Sequence, residues 1–289
     1  MAGRRSLGVA ERIGEAVVEA STKFRPDMLR AYARAAEAER NPTALWVEET
    51  LVANAKCSAE RCFALCDDTG TPHVYVEVGD GCVLPAGFLE EVREGLRKGM
   101  DALPTRPMAV RGDEVERVGQ LKGLATEPGE LVPGSFLLAQ CPGEAVQVTV
   151  LMLGGGPELR ARTYRIFHQR SLAVVLDEVA EWANEMMPLL GCTPATLAVG
   201  IGRTHFEASS LVLKAMREGS LDCQSEWEQR LTRKVNEIGV GALGVGGNTT
   251  VLGSFLRIGP QRASGFRIVS LRPCCCMEPR RATVSFSFP

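Results

Sequence analysis

The chain has 289 residues, 45% hydrophobic and 24% charged, and its 33 basic and 35 acidic side chains leave a net charge of −2. A chain of this length and composition can bury a core large enough to fold without disulfide or metal staples. Near-neutrality gives no global attraction to a phosphate backbone or an anionic lipid surface, so neither nucleic acid nor membrane is expected as a partner.

At the amino terminus Arg4 and Arg5 are followed by no apolar core of leader length. Residues 10–20, 26–38 and 43–57 carry apolar side chains at intervals of three and four and predict helices. Pro26 and Pro42 stand near helix starts, where a missing N–H costs little. The alternating HVYVEV run at 73–78 predicts a strand closed by the Gly79-Asp80-Gly81 turn, and 89–102 returns to helical period. Residues 106–130 are charged, irregular and loop-like. Strands are predicted at 135–140 and 145–153, followed by the Gly154-Gly155-Gly156 loop.

A strong helix follows at 171–190, a short strand at 196–199, helices at 205–218 and 225–238, and strands at 250–258, 266–271 and 283–288. The uncharged runs at 186–202 and 238–256 contain, respectively, two prolines and six glycines, so neither reads as a membrane span. No repeat, linker or low-complexity segment appears. The expected fold class is mixed α/β, a single domain over 1–289 with mixed sheets surrounded by helices and a helical N-terminal part.

Ten cysteines stand beside three histidines. Without a leader the chain is expected to be cytoplasmic, where thiols are kept reduced and cysteines are free, metal-bound or catalytic rather than paired. None forms a CxxC pair, so a structural zinc site is a poor reading. Gly239-Val240-Gly241-Ala242-Leu243-Gly244 has the spacing of a dinucleotide-binding loop, but a helix precedes it and a β-branched stretch follows, the reverse of the required order.

Three loops combine a cysteine with turn-rich or charged residues. They are Cys66-Asp67-Asp68-Thr69-Gly70, Gly191-Cys192-Thr193-Pro194, and Cys274-Cys275-Cys276 ahead of Arg280-Arg281. In chain order the motifs are CDDTG at 66–70, VPG at 132–134, GGG at 154–156, GCTPATLAVGIG at 191–202, VNEIGVGALGVGGNTTVL at 235–252, AS at 263–264, and C-x-x-x-R-R-A-T ending at Thr283. Over about 50–285 this series resembles the α-type subunit, or N-terminal half, of the class I fumarase and L-tartrate dehydratase iron–sulfur hydro-lyases.

The resemblance implies a [4Fe–4S] cluster held by three cysteine thiolates with one iron open to substrate. By position the ligands would be Cys66, Cys192 and one of the terminal triplet. Spacing to Arg280-Arg281 selects Cys276, whereas spacing back to Ala263-Ser264 sits nearer Cys274. Cys276 is the assignment taken. Asp67, Asp68, Thr69 and Gly70 would form the substrate loop, Arg106 would bind a carboxylate with its planar fork, and Gly155 and Gly156 would line the pocket with N–H groups.

The substrate implied is a small C4 dicarboxylate of the malate, fumarate or tartrate type, from which water is reversibly eliminated. No catalytic base is expected in this chain. It would come from a β-type hydro-lyase subunit in a hetero-oligomer, so the chain alone should be inactive or nearly so. Several positions depart from the family: Asp67 replaces glutamine, Leu153 lysine, Pro157 and Leu159 serine and asparagine, Arg203 glycine, Asn248 lysine and Gln261 histidine. Arg203 is a candidate to restore part of the lost positive charge. These substitutions also keep open a divergent homologue that binds a cluster or partner without dehydrating anything.

Overall fold

The computed structural model describes residues 8–288; the Arg4-Arg5 segment read for a leader lies outside them. The elements, in chain order, begin with helices α1 (Val9–Thr22), α2 (Pro26–Ala38) and α3 (Pro42–Arg61). Strand β1 (Thr71–Gly79), helices α4 (Phe88–Asp101) and α5 (Glu114–Val118), and strands β2 (Phe136–Cys141) and β3 (Val146–Leu153) follow. Next come α6 (Gly155–Glu158), β4 (Arg162–Phe167), α7 (Leu172–Leu190), β5 (Ala195–Gly202), α8 (His205–Glu218) and α9 (Glu226–Asn236). Strands β6 (Val251–Ile258), β7 (Phe266–Cys274) and β8 (Arg280–Phe286) close the chain. The fold class is mixed α/β, as expected. No described helix is long and apolar enough to cross a membrane.

The chain divides into two compact, interleaved units. One comprises the residues up to Lys23, Cys57–Leu153, and the residues from Arg280 onward; the other comprises Phe24–Lys56 and Gly154–Pro279.

The first unit is built on a four-stranded sheet of order β2-β1-β3-β8, with β1 and β2 parallel and the other neighbours antiparallel. Alternate residues of β3 (Val146, Val148, Val150, Met152) point into a core shared with Ile13 and Val17 of α1 and Val92, Leu96 and Met100 of α4. The period of two on the strands and of three to four on the helices places these side chains on facing surfaces. Residues 106–130, expected as loop, contain α5. Asp113 caps it by accepting from the N–H groups of Val115 and Glu116, while Glu116 accepts in turn from the N–H of Asp113. A single exposed turn of this kind buries no apolar stripe and leaves no period to read.

The second unit is built on a sheet of order β4-β7-β5-β6, with β5 and β6 parallel. Strand β5 is buried along its whole length. Leu197, Val199 and Ile201 join α7 and α9 in one core, while the other face meets α8. A Cβ on Gly200 would stand 2.1 Å from the carbonyl oxygen of Ala208 in α8. The Gly200-Ile201-Gly202 cluster is thus the end of the strand itself, extending the predicted 196–199, and Gly200 lets α8 press against the sheet. Strand β4 was not predicted. It is an edge strand with mostly exposed or half-buried side chains, and edge strands carry little apolar alternation.

Candidate functional site

The Cys66–Gly70 loop belongs to the first unit and runs from the end of α3 into β1. Gly70 has φ of +88°, and a Cβ there would lie 2.6 Å from the backbone carbon of Leu153, so only glycine fits this bend. Thr69 is fully buried and shares a hydrogen bond with the hydroxyl of Thr105. Arg280 donates from Nη1 to the Asp68 carbonyl at 2.9 Å. These ties hold the backbone and leave Cys66 half-buried, its thiol donating to Asp67 Oδ1 at 3.6 Å.

Arg106 reaches this loop. Its Nε lies 3.8 Å from Asp67 Oδ2, with the two side chains 61% and 82% exposed. A pair this open is worth little in stability, so the guanidinium can exchange Asp67 for another carboxylate at small cost. Asp67, where the resembled family has glutamine, is therefore a local competitor for any other carboxylate that approaches Arg106.

In the second unit, α7 ends at Gly191 in the left-handed conformation, with φ of +75°, and Cys192 follows, exposed. The N–H of Cys276 donates to the Cys192 carbonyl at 2.8 Å, and Tyr32, stacked on Phe24, donates its hydroxyl to the Cys276 carbonyl at 2.8 Å. Thr193 bonds to the glycine loop, donating to the Gly241 carbonyl and accepting from the Leu243 N–H. That loop follows helix α9 and leads into strand β6, which is the order helix, loop, strand read from the sequence.

The terminal triplet separates by environment. The Cys274 thiol is completely buried at the end of β7, beside the Met216 sulfur at 3.5 Å and Arg272 Nη1 at 3.6 Å, and burial pushes it up to about 12. Cys276 instead faces Cys192 and Cys275. Hydrogen bonding with the Cys192 thiol, then with that of Cys275, and then burial push it far above the usual thiol range. Adjoining cysteine sulfurs on tethered backbone are soft donors of the kind that thiolate-held metal centres use.

The structure brings Cys192 and Cys276 together within the second unit, and Asp67 and Arg106 together within the first. Among the described residues no three His, Cys, Asp or Glu side chains form a group that could hold a metal ion as they stand. No disulfide links any of the ten described cysteines.

Gly155 and Gly156 are exposed at the start of α6, and the residue before them is fixed by a buried ion pair that sequence reasoning missed. Arg272, 4% exposed, meets the fully buried Glu278 at 2.6 Å and Glu158 at 2.9 Å. Gly154 donates its N–H to Glu278 and accepts from Arg272 Nη2 at 3.2 Å. Because Glu278 lies two residues past Cys276, one charge pair ties the glycine loop to the triplet segment. The available signal was an arginine just ahead of the cysteine triplet, with a glutamate six positions on.

The family scan matches residues 10–285 to the fumarate hydratase (Fumerase) model. The chain belongs to this family. It is 24% identical over 283 residues to a Methanocaldococcus jannaschii protein provisionally named L(+)-tartrate dehydratase subunit alpha, covering 94% of each chain. It is 24% identical to the L(+)-tartrate dehydratase subunit alpha of Escherichia coli strain UTI89, covering 81% of this chain and 76% of that one. A Geobacillus stearothermophilus protein provisionally named fumarate hydratase class I is 25% identical, and this chain spans 48% of its length.

Three substituted positions gain an explanation within the second unit of this Fumerase-family chain. Arg203 and Gln261 lie at the far end of β5 from Cys192. Arg203 is bound through several contacts to Glu207, including Nη2 to Oε1 at 2.7 Å, and Gln261 donates to the carbonyls of Ile201 and Gly259. Arg203 therefore does not restore positive charge beside Cys192, contrary to the sequence expectation. Asn248 donates to the Ala38 carbonyl from its side chain and to Glu39 from its N–H, fastening the glycine loop to the end of α2.

Proposed function

We propose that this chain is the α-type subunit of a [4Fe–4S] hydro-lyase that reversibly eliminates water from a C4 2-hydroxy dicarboxylate of the malate, fumarate or tartrate kind. The observation that carries the reading is the tethered pair Cys192 and Cys276 in a member of the Fumerase family, with Cys66 in a loop that resembles the family's cysteine motif. Cys66, Cys192 and Cys276 would be the ligands. A thiolate-held cluster with an open iron supplies, when bound, a Lewis acid for the substrate's hydroxyl and carboxylate oxygens.

The chain's own residues would bind and orient the substrate. Arg106 would exchange its loose contact with Asp67 for a substrate carboxylate. The loop Asp67, Asp68, Thr69 and Gly70 would be held in place by Thr105 and Arg280, and Gly155 and Gly156 would present N–H groups. No group in this chain is assigned as the base that removes the C–H proton; a β-type subunit would supply it. The two units would act together as one α-type domain, in a reducing cytoplasm that keeps the thiols available.

Anaerobic purification tests the cofactor: brown absorption with iron and sulfide is expected, and an iron-free protein that cannot be reconstituted would overturn it. Co-expression with a β-type chain then tests turnover of malate, fumarate and tartrate. A loaded complex inert toward all three would favour the divergent homologue, a reading to which Asp67 beside Arg106 lends support.

A further inference from the structure

The second unit contains a cavity of about 340 Å³ at the opposite end of β5 from Cys192. From Ala195 to Ile201 the strand spans about 20 Å, so this cavity is separate from the Cys192 end. Its walls are apolar: Leu172 and Val175 from the start of α7, Ile201 from β5 and Ile258 from the end of β6. Its rim is cationic, with Arg170 and Arg267, and no carboxylate lines it. Among the described residues no Asp or Glu forms an ion pair with either arginine.

The rim is built by constrained backbone. Gln169 and Arg170 both have positive φ, 46° and 59°, a conformation that non-glycine residues hold only where their surroundings impose it. His168 enforces it. Its Nδ1 accepts the N–H of Arg170 at 2.9 Å, which leaves Nε2 as the protonated nitrogen donating to the Ser264 carbonyl at 2.9 Å. Both ring nitrogens are thus engaged. Arg267 is anchored through Nη1 to the carbonyls of Ser264 and Phe266, each at 3.0 Å. A strained turn therefore fixes the backbone of Arg170, and a carbonyl cluster the guanidinium of Arg267, at the edge of this apolar cavity.

We propose that this cavity binds a small monocarboxylate with an unbranched or aryl hydrocarbon body, the carboxylate on Arg170 and Arg267 and the hydrocarbon against Leu172, Val175, Ile201 and Ile258. Guanidinium groups suit a carboxylate geometrically, and the volume lies at the lower end of the roughly 300–1,000 Å³ range of small-molecule sites. The other polar lining groups are Ser171, His168 and Gln261, the last two already bonded to backbone carbonyls, so a second carboxylate would find no further cation.

Sodium octanoate is the probe, titrated below its micellar range into the full chain by calorimetry, with thermal unfolding as a second readout. Saturable binding and a rise in melting temperature are expected. Arg170→Ser should weaken binding about ten- to a hundredfold, the loss of a charge-assisted hydrogen bond. Leu172→Trp should abolish it by filling the hole, with the unliganded melting temperature showing that this variant folds. Octanol, which has the body without the charge, and succinate, which carries a second carboxylate, should show no saturable binding. Absence of octanoate binding, unchanged affinity in Arg170→Ser, or equal binding of octanol or succinate would each overturn the proposal.

Discussion

Arg272→Met is the sharpest test of how the second unit is held together. The substitution removes a guanidinium that is 4% exposed and bonded to Glu278 at 2.6 Å, to Glu158 at 2.9 Å and to the Gly154 carbonyl at 3.2 Å. Glu158 is 63% exposed and recovers its hydration, so its contact contributes little. Glu278 cannot do so. It is fully buried, accepts from the Gly154 N–H, and without Arg272 loses the cation that it meets at 2.6 Å. Breaking a buried pair from one side costs about 3–5 kcal/mol, because the remaining charge is left uncompensated. For a folded body of this size that lowers the melting temperature by about 6–20 °C.

Removing both charges avoids the stranded carboxylate, so Arg272→Met combined with Glu278→Gln should be markedly less destabilised than the sum of the single variants. Urea unfolding of the wild type, both single variants and the double variant measures this coupling. A single-variant cost below about 1 kcal/mol, or additivity in the double variant, would refute the reasoning that this pair is the tie between the glycine loop and the triplet.

Gly70→Ala should destabilise the chain by more than about 2 kcal/mol, since its Cβ would meet the Leu153 backbone at 2.6 Å and its φ is +88°; chemical denaturation measures it, and a cost under about 0.5 kcal/mol would show that the bend relaxes. In anaerobically reconstituted protein, Cys276→Ala and Cys192→Ala should lose most iron and visible absorption, whereas Cys274→Ala should retain them because its thiol faces Met216 and Arg272; the reverse pattern would reassign the ligand. Glu48 is buried, neither carboxyl oxygen has a hydrogen-bond partner, and burial followed by the charge of Glu39 raises it to about 7. Its neutral form is the one the fold accommodates, so the stability it permits is fully present below about pH 4.5 and is lost as the pH rises through 7. Glu48→Gln should therefore match the wild type near pH 4.5 and exceed it in melting temperature at pH 8, and parallel curves across that range would contradict this.

The elements legible in the sequence were those with strong periodicity. α1, α2, α7, α8 and α9 and the strands β1, β3 and β6 bury one clear stripe or alternate regularly, and their predicted bounds lie within a few residues of the structure. β4 and α5 stayed hidden because an edge strand and a one-turn helix bury too little apolar surface to write a pattern. The three cysteine loops were legible as motifs, and so was the order of the glycine segments.

The sequence by itself determined the fold class and the family, because hydrophobic period and ordered motifs are local properties that survive without coordinates. Only the tertiary structure decided what those residues touch. Cys274 and Cys276, two positions apart, are alike in sequence, yet one points to Met216 and Arg272 and the other to Cys192. Arg203 looked like replacement charge and proved to be bound to Glu207 at the other end of the strand. The contact of Arg272 with the Gly154 carbonyl and the tie of His168 to Ser264 were likewise set by chain segments far apart in sequence. The energies of burial and hydrogen bonding depend on which groups the fold brings within a few ångströms, and no spacing along the chain records that.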